Sequence, residues 1–450
     1  MRNNTLTKNQ ITEGVIWKQL LIFFFPIMVG TLFQQLYNTV DAIIVGRFVG
    51  KQALASVGGS AAVLSNFVIG FFTGLSAGAT VIISQFYGAK NEKQLAKGLH
   101  TAYAFSITVS LLISVAGWFA TPMLLRLLKT PADIILDSVL YLRIYFLGMI
   151  FTLTYNMGSS IMRAIGDSKR PLIYLMICCV LNIVLDILFV IGFDMGIKGA
   201  AIATVIAQAI SALLVTRSLM RSYGILKLEL RAIRFHKDLL KAELRIGLPG
   251  GIQSFGYSIS NIIIQAVINN FGTDTAAAWA AYGKLDAIFW TVCGSFGIAI
   301  TTFAGQNYGA RRYDRVKKSV RVCLAMALGV CGSLIVFLMV FCRPLYGIFT
   351  TDGAVVDIGV YMLRLITPSY IIFIFVEIFS GALRGIGDVL VPSAITLGGV
   401  LLVRLTWILV VTPMTGELST LLYSYPLAWG ATALLLIPYY FHRKKKVLIS

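Results

Sequence analysis

The feature that most restricts this sequence is a series of apolar runs, each about 20 residues long and nearly free of charge, parted by short polar turns and recurring twelve times in 450 residues. Bilayer hydrocarbon is about 30 Å thick, a length that roughly 20 helical residues cross, and no backbone polar group can stay unpaired inside it. Runs of this kind therefore fold as transmembrane helices. They lack the two-residue alternation of a transmembrane barrel. With 58% hydrophobic and 13% charged side chains, the chain has too little polar surface to wrap a soluble core. The expected fold is an all-α polytopic membrane protein of twelve transmembrane helices. Met1 to Lys18 is polar and lacks a small-residue cleavage site, so no removable signal peptide is expected.

The formal net charge of +19 would point to nucleic acid in a soluble protein. Here its placement gives another answer. When the segments are alternated across the membrane from the N-terminus, most Lys and Arg fall on one side, which the positive-inside rule assigns to the cytoplasm together with both termini, in a plasma membrane. The basic tail from His442 to Lys446 fits anionic lipid headgroups rather than a polynucleotide. His100, His236 and His442 each lie in a basic cytoplasmic stretch and read as solvated surface residues. The six cysteines fall in or near apolar segments without paired spacing and read as small hydrophobes. No loop carries a nucleophile, metal or cofactor motif, so no cofactor is expected and the chain does not read as an enzyme.

Two motifs occur twice at one separation. Gln85-Phe86-Tyr87-Gly88-Ala89-Lys90 returns as Gln306-Asn307-Tyr308-Gly309-Ala310-Arg311, and Arg163-Ala164-Ile165-Gly166-Asp167 returns as Arg384-Gly385-Ile386-Gly387-Asp388, both 221 residues on. That is an internal duplication. Six spans per copy is an even number, so the halves enter and leave the membrane on the same side as parallel repeats, related by a pseudo-two-fold axis along the membrane normal. The expected domains are an N-terminal lobe at 1–216, a basic cytoplasmic linker at 217–245, and a C-terminal lobe at 246–450. Gly70, Gly74 and Gly78 form a close-packing face on the second span, matched in the copy by Thr291, Ser295 and Ala299.

Charged groups inside the spans are costly, so each needs a reason. Asn182 and Asp186 are four apart in an otherwise apolar fifth span and share a helix face. Asp41 lies in the first span beside Tyr37, Asn38 and Thr39, and Thr204 in the sixth. Asp41, Asn182, Asp186 and Thr204 offer two carboxylates, an amide oxygen and a hydroxyl, a donor set that suits Na⁺ or a shared proton equally. Shifted by 221 residues, Asn182 and Asp186 become Val403 and Trp407, and the seventh span holds no acid. A fold that needed these groups as scaffold would need them in both copies, so their restriction to one copy favours function. The second half has its own charges: Lys284, Asp286, Glu377, and Arg404, which is central enough to need an acid or carbonyl partner. Lys284 can pair with Asp286 or Glu377 as a buried ion pair, and Arg47 or Lys51 with Asp41.

On these turns and acids, and over nearly its whole length, the chain resembles the multidrug and toxic compound extrusion (MATE) family. The resemblance implies a V-shaped pair of lobes around a central cavity, exchanging an amphipathic organic cation for Na⁺ or H⁺. It places the coupling cation of the N-terminal lobe at Asp41, Asn182, Asp186 and Thr204, with Na⁺, if it is the ion, held by the first three. One branch of the family carries coupling acids on the seventh and tenth spans; here the seventh has none and Glu377 lies about a turn from the expected place. Coupling is therefore expected in the N-terminal lobe. Substrate contacts are expected from Tyr37, Asn38, Met157, Lys284, Asp286, Phe289 and Glu377, with acids holding the cation and aromatic or methionine side chains giving adaptable apolar contact.

The rival reading is a flippase for a lipid-linked saccharide. Its phosphates would require several bases facing the cavity, and only Lys284, Arg404 and Arg143 qualify. An ion channel or receptor leaves the acids of the first half unexplained. The partners expected are a small organic cation and membrane lipid, with the chain working as a monomer.

Overall fold

The computed structural model describes residues 10–221 and 227–447. The expected linker lies partly outside the described residues, at 222–226, as do the first nine residues and the last three. Ten helices are long and apolar enough to cross a membrane, and one bent pair and one further long helix complete twelve spans. These are α1 (Ile16–Val49), α2 (Lys51–Gly88), α3 (Glu92–Leu127), α4 (Ile135–Leu147 and Met149–Ala164), α5 (Lys169–Gly192), α6 (Gly196–Arg221), α7 (Lys237–Asn269), α8 (Thr273–Gly309), α9 (Tyr313–Val340), α10 (Gly353–Gly385), α11 (Leu390–Thr415) and α12 (Leu418–Val447). Among the described residues there is no strand.

The duplication is visible in backbone geometry. At the end of α2, the amides of Ala89, Lys90 and Asn91 donate to the carbonyls of Gln85, Tyr87 and Phe86; at the end of α8, those of Ala310, Arg311 and Arg312 donate to Gln306, Tyr308 and Asn307. Lys90 and Arg311 occupy the same left-handed conformation, at φ 53° and 56°. The second turn repeats as well. Gly166 and Gly387 take φ 94° and 88°, a region open to glycine, and their amides donate to Arg163 and Arg384. The two halves of α4 meet at 48°, and 221 residues on α10 is interrupted by a tight turn over Thr367–Ser369.

By internal contacts the chain divides into two compact units, Phe25–Gly251 on one side and Met1–Phe24 with Ile252–Ser450 on the other. The division falls inside α1 and α7, which are repeat equivalents. In the second unit, Phe23 meets Phe303 edge-on at 6.0 Å and Phe24 stacks on Phe296 at 4.0 Å, both on α8. In the first unit, the start of α7 packs on α2. There a Cβ on Gly74 would lie 2.4 Å from the Gly251 nitrogen, and one on Gly78 would lie 2.0 Å from the Glu243 carbonyl. Backbones this close leave no room for a side chain, so the glycine face read from sequence has a definite partner.

His100 corrects the expectation of a solvated surface. It is 6% exposed, and its Nε2 accepts the Glu229 amide at 3.0 Å, which leaves Nδ1 to donate to the Ala96 carbonyl at 2.6 Å. The ring thus pins the cytoplasmic linker to α3. His236 adds a second clip, its amide donating to Thr101 at 3.3 Å.

Close packing of α7 on α2 buries Glu243, which is 4% exposed and has neither carboxylate oxygen hydrogen-bonded. It precedes the apolar part of α7. Burial pushes its carboxyl from 4.5 up to about 8. The folded chain therefore holds this proton more tightly than the unfolded chain does. That contribution is intact below the ordinary carboxylate range and erodes as pH climbs towards 8. Thermal unfolding in detergent should show a melting temperature that falls between about pH 5 and about pH 9, and Glu243→Gln should flatten most of that fall. An unchanged slope in the variant would remove Glu243 as its source.

Candidate cation site in the first half

Three helices of the first unit bring the predicted oxygens together. Asp41 of α1 is 9% exposed, Asn182 and Asp186 of α5 are 0% exposed, and Thr204 of α6 is 4% exposed. Four-residue spacing stacks Asn182 above Asp186 on one face. Directly after Asp186 the helix widens into π turns over Ile187–Gly192, the kind of irregularity that helices keep at functional sites.

The donors and acceptors have a definite direction. Thr204 Oγ1 donates to the Ala200 carbonyl at 3.0 Å and accepts from Asn182 Nδ2 at 3.4 Å. With its nitrogen committed to Thr204, Asn182 turns its oxygen away, and that oxygen has no hydrogen-bond partner. Neither oxygen of Asp186 has one, nor has Oδ1 of Asp41. The Asp41 and Asp186 carboxyls are close enough to interact directly. Among the described residues no Lys or Arg forms an ion pair with either acid. Arg47, offered above as a partner for Asp41, is exposed in the wide turn Val45–Val49.

Buried oxygens without donors are expensive, by about 1–3 kcal/mol each and more when charged. Two facing carboxylates with no base between them hold a proton or a small cation, because the doubly ionised state is repulsive in a poorly polarisable surrounding. Asp41, Asn182 and Asp186 have the oxygens to hold a monovalent ion. The neutral amide and hydroxyl add ligand oxygens without adding charge.

Tyr37 lies one turn before Asp41 and reaches both it and Thr204. Two residues that sequence reasoning missed complete the wall. Tyr141 and Tyr145 of α4 stack at 6.0 Å and face Asp41, and Tyr141 also faces Asp186. Their four-residue spacing in Tyr141-Leu142-Arg143-Ile144-Tyr145 was a readable sign of a shared face. Asn38 is exposed, and Met157 is 1% exposed within the apolar core of this unit.

The remaining predicted residues gather in the second unit. Asp286 accepts from Trp290 Nε1 at 2.7 Å and from the Tyr370 hydroxyl. Phe289 is fully buried and stacks on Tyr370 at 4.0 Å. Lys284 is exposed and pairs with neither Asp286 nor Glu377, so the expected buried ion pair is not formed. Glu377 is half-buried beside Gly297, where any Cβ would collide with its carboxylate. Arg404 is 2% exposed and, among the described residues, has neither the acid nor the carbonyl partner expected of it; it lies over the Tyr425 ring at 4.2 Å.

Duplicated six-span halves with ionisable side chains buried at membrane depth define a membrane transporter. The MatE family matches residues 26–188 and 249–408, once in each half. The Probable multidrug resistance protein YoeA of Bacillus subtilis is 30% identical over 450 residues, covering 98% of this chain and 97% of its own. The Probable multidrug resistance protein YpnP of the same bacterium is 31% identical over 84% of each chain. A solved outward-facing multidrug resistance MATE family transporter of the MOP superfamily superposes with a TM-score of 0.90 at 21% identity, covering 98% of both chains. The chain belongs to the MATE family of multidrug efflux transporters, and it is a transporter rather than an enzyme. The flippase reading finds no support among these relatives.

A cluster built for a ligand trades stability for binding. Asp186→Leu removes a buried carboxylate with no hydrogen bond to lose, so it should raise the melting temperature in buffer of low Na⁺ content by several degrees. A drop of similar size would show that Asp186 supports the fold.

Proposed function

We propose that this transporter is a secondary active antiporter that exports amphipathic organic cations in exchange for Na⁺ or H⁺, with coupling at Asp41, Asn182, Asp186 and Thr204. One observation carries the reading: the first unit buries a set of acceptor oxygens with no donor and no base to satisfy them. A cation that enters this set cancels repulsion between the carboxylates. Helix packing that closes around the cation is then favoured over packing that leaves the carboxylates apart. The free energy for export comes from the ion gradient and from the membrane potential, about 2.3 kcal/mol per charge per 100 mV.

Substrate cation is drawn by Asp286 and Glu377, with Lys284 setting a limit on positive charge, and Tyr37 and Asn38 offer contacts near the coupling site. Met157 and Phe289 shape these contacts from within their packed cores. We assign 1–216 and 246–450 as the two lobes, joined by the linker at 217–245, with both termini in the cytoplasm and the chain acting as a monomer in the plasma membrane. The basic end of α12, Lys444 to Lys446, suits anionic headgroups of the inner leaflet.

Ethidium efflux from vesicles, driven by an imposed Na⁺ gradient or an imposed pH gradient applied alone, tests the exchange. One of the two should suffice for the parent, and Asp186→Asn should lower the rate at least about tenfold because the site loses the charge that attracts the ion. An Asp186→Asn protein that pumps as well as the parent would end this reading.

A further inference from the structure

The second half answers the acids of the first with a base. Arg404 lies one residue past Val403, the duplicated position of Asn182, and it closes a wide-turn segment, Gly399–Arg404, that α5 does not have. The other wide turn of α11, Trp407–Val411, is the one that matches α5. The added segment shifts the helix register just before Arg404, which re-aims its side chain.

What surrounds the guanidinium is rich in donors and poor in acceptors. Arg404 is 2% exposed, and its Nε has no hydrogen-bond partner; the Tyr425 ring lies 4.2 Å from it and Trp429 6.0 Å. Trp429 is itself 2% exposed with an unpartnered Nε1 donor. Two buried donors in one cluster lack an acceptor. A cation–π contact offsets only part of what burying an unpaired guanidinium costs.

The acid within electrostatic reach does not fill this role, since both Asp286 oxygens are already taken by Trp290 and Tyr370. Glu377 accepts no hydrogen bond from any described residue and shares the neighbourhood of Tyr257 with Arg404. A simple anion would meet repulsion from these two carboxylates. A molecule with a carboxylate at one end and a cation at the other would meet none, and its aromatic body would lie among Tyr425 and Trp429.

We infer that the second half holds a recognition site for aromatic zwitterions, in which Arg404 Nε and Trp429 Nε1 donate to the ligand's carboxylate and Glu377 faces its cationic end. Such ligands form a substrate class beyond the simple organic cations of the exchange reading. The site's place in transport rests on that reading, whereas its existence as a binding site does not.

Tetramethylrhodamine and its methyl ester test this directly, because they share a cationic aromatic body and differ in whether the carboxylate is free. Binding to the purified full-length protein in detergent is read by fluorescence anisotropy, with no gradient imposed. The parent should bind the free acid about tenfold more tightly than the ester. Arg404→Gln should erase that preference while changing ester affinity less than about twofold, and Trp429→Phe, which keeps a ring and removes the donor, should lower acid affinity alone. Should Arg404→Gln fail to fold, the parent's preference and the Trp429→Phe result still decide the matter. Equal affinity of the parent for both probes, or parallel losses for both in the variants, would overturn the site. A protein that shows the preference yet fails to exchange ethidium for a cation would retain the site and lose the exchanger.

Discussion

Carboxylates buried without donors are the constraint on which the rest of this molecule turns. A single charge in a hydrocarbon-spanning helix disfavours insertion by about 2.5–3.5 kcal/mol, and here Asp41 and Asp186 face each other across α1 and α5 with no base between them. The surrounding fold is arranged to tolerate this. Thr204 orients the Asn182 amide, three tyrosines line the acids, and α5 widens immediately after Asp186. A cation entering the cluster removes an unfavourable state instead of adding a contact to a satisfied one, which is how binding can shift the balance between helix packings.

Duplication supplies the frame, and departures from it supply the chemistry. The turns that end α2, α8, α4 and α10 are copied down to their hydrogen bonds, because a scaffold that works once works twice. The starts of α1 and α7 have matching roles, one packed on α8 and the other on α2. Side chains at membrane depth do not repeat. Asn182 and Asp186 give way to Val403 and Trp407, and Arg404 comes in where the first half has Ile183. Symmetry thus separates what holds the bundle from what binds within it.

Much of this was readable from the chain. Twelve spans follow from run length, the repeat follows from two motifs at one offset, and the shared face of Asn182 and Asp186 follows from helical spacing. What could not be read depends on neighbours distant in sequence. Basic surroundings hid the burial of His100, which is set by the Glu229 amide 129 residues away. Tyr141 and Tyr145 looked like ordinary aromatic residues of a span until α4 placed them against Asp41. Lys284 and Asp286 are adjacent charges on paper, yet Trp290 and Tyr370 satisfy the acid and leave the lysine exposed. Local pattern identifies a costly group, whereas only the fold identifies what compensates it.

Direct cation binding is the measurement closest to the core of this account. Radioactive sodium binding to purified protein, read together with proton release into lightly buffered solution, compares the parent with Asp41→Asn/Asp186→Asn without any drug or gradient. The parent should bind Na⁺, or titrate a proton that the double variant lacks, and the double variant should do neither. Cation binding that survives in the double variant would place the coupling ion elsewhere and contradict the account.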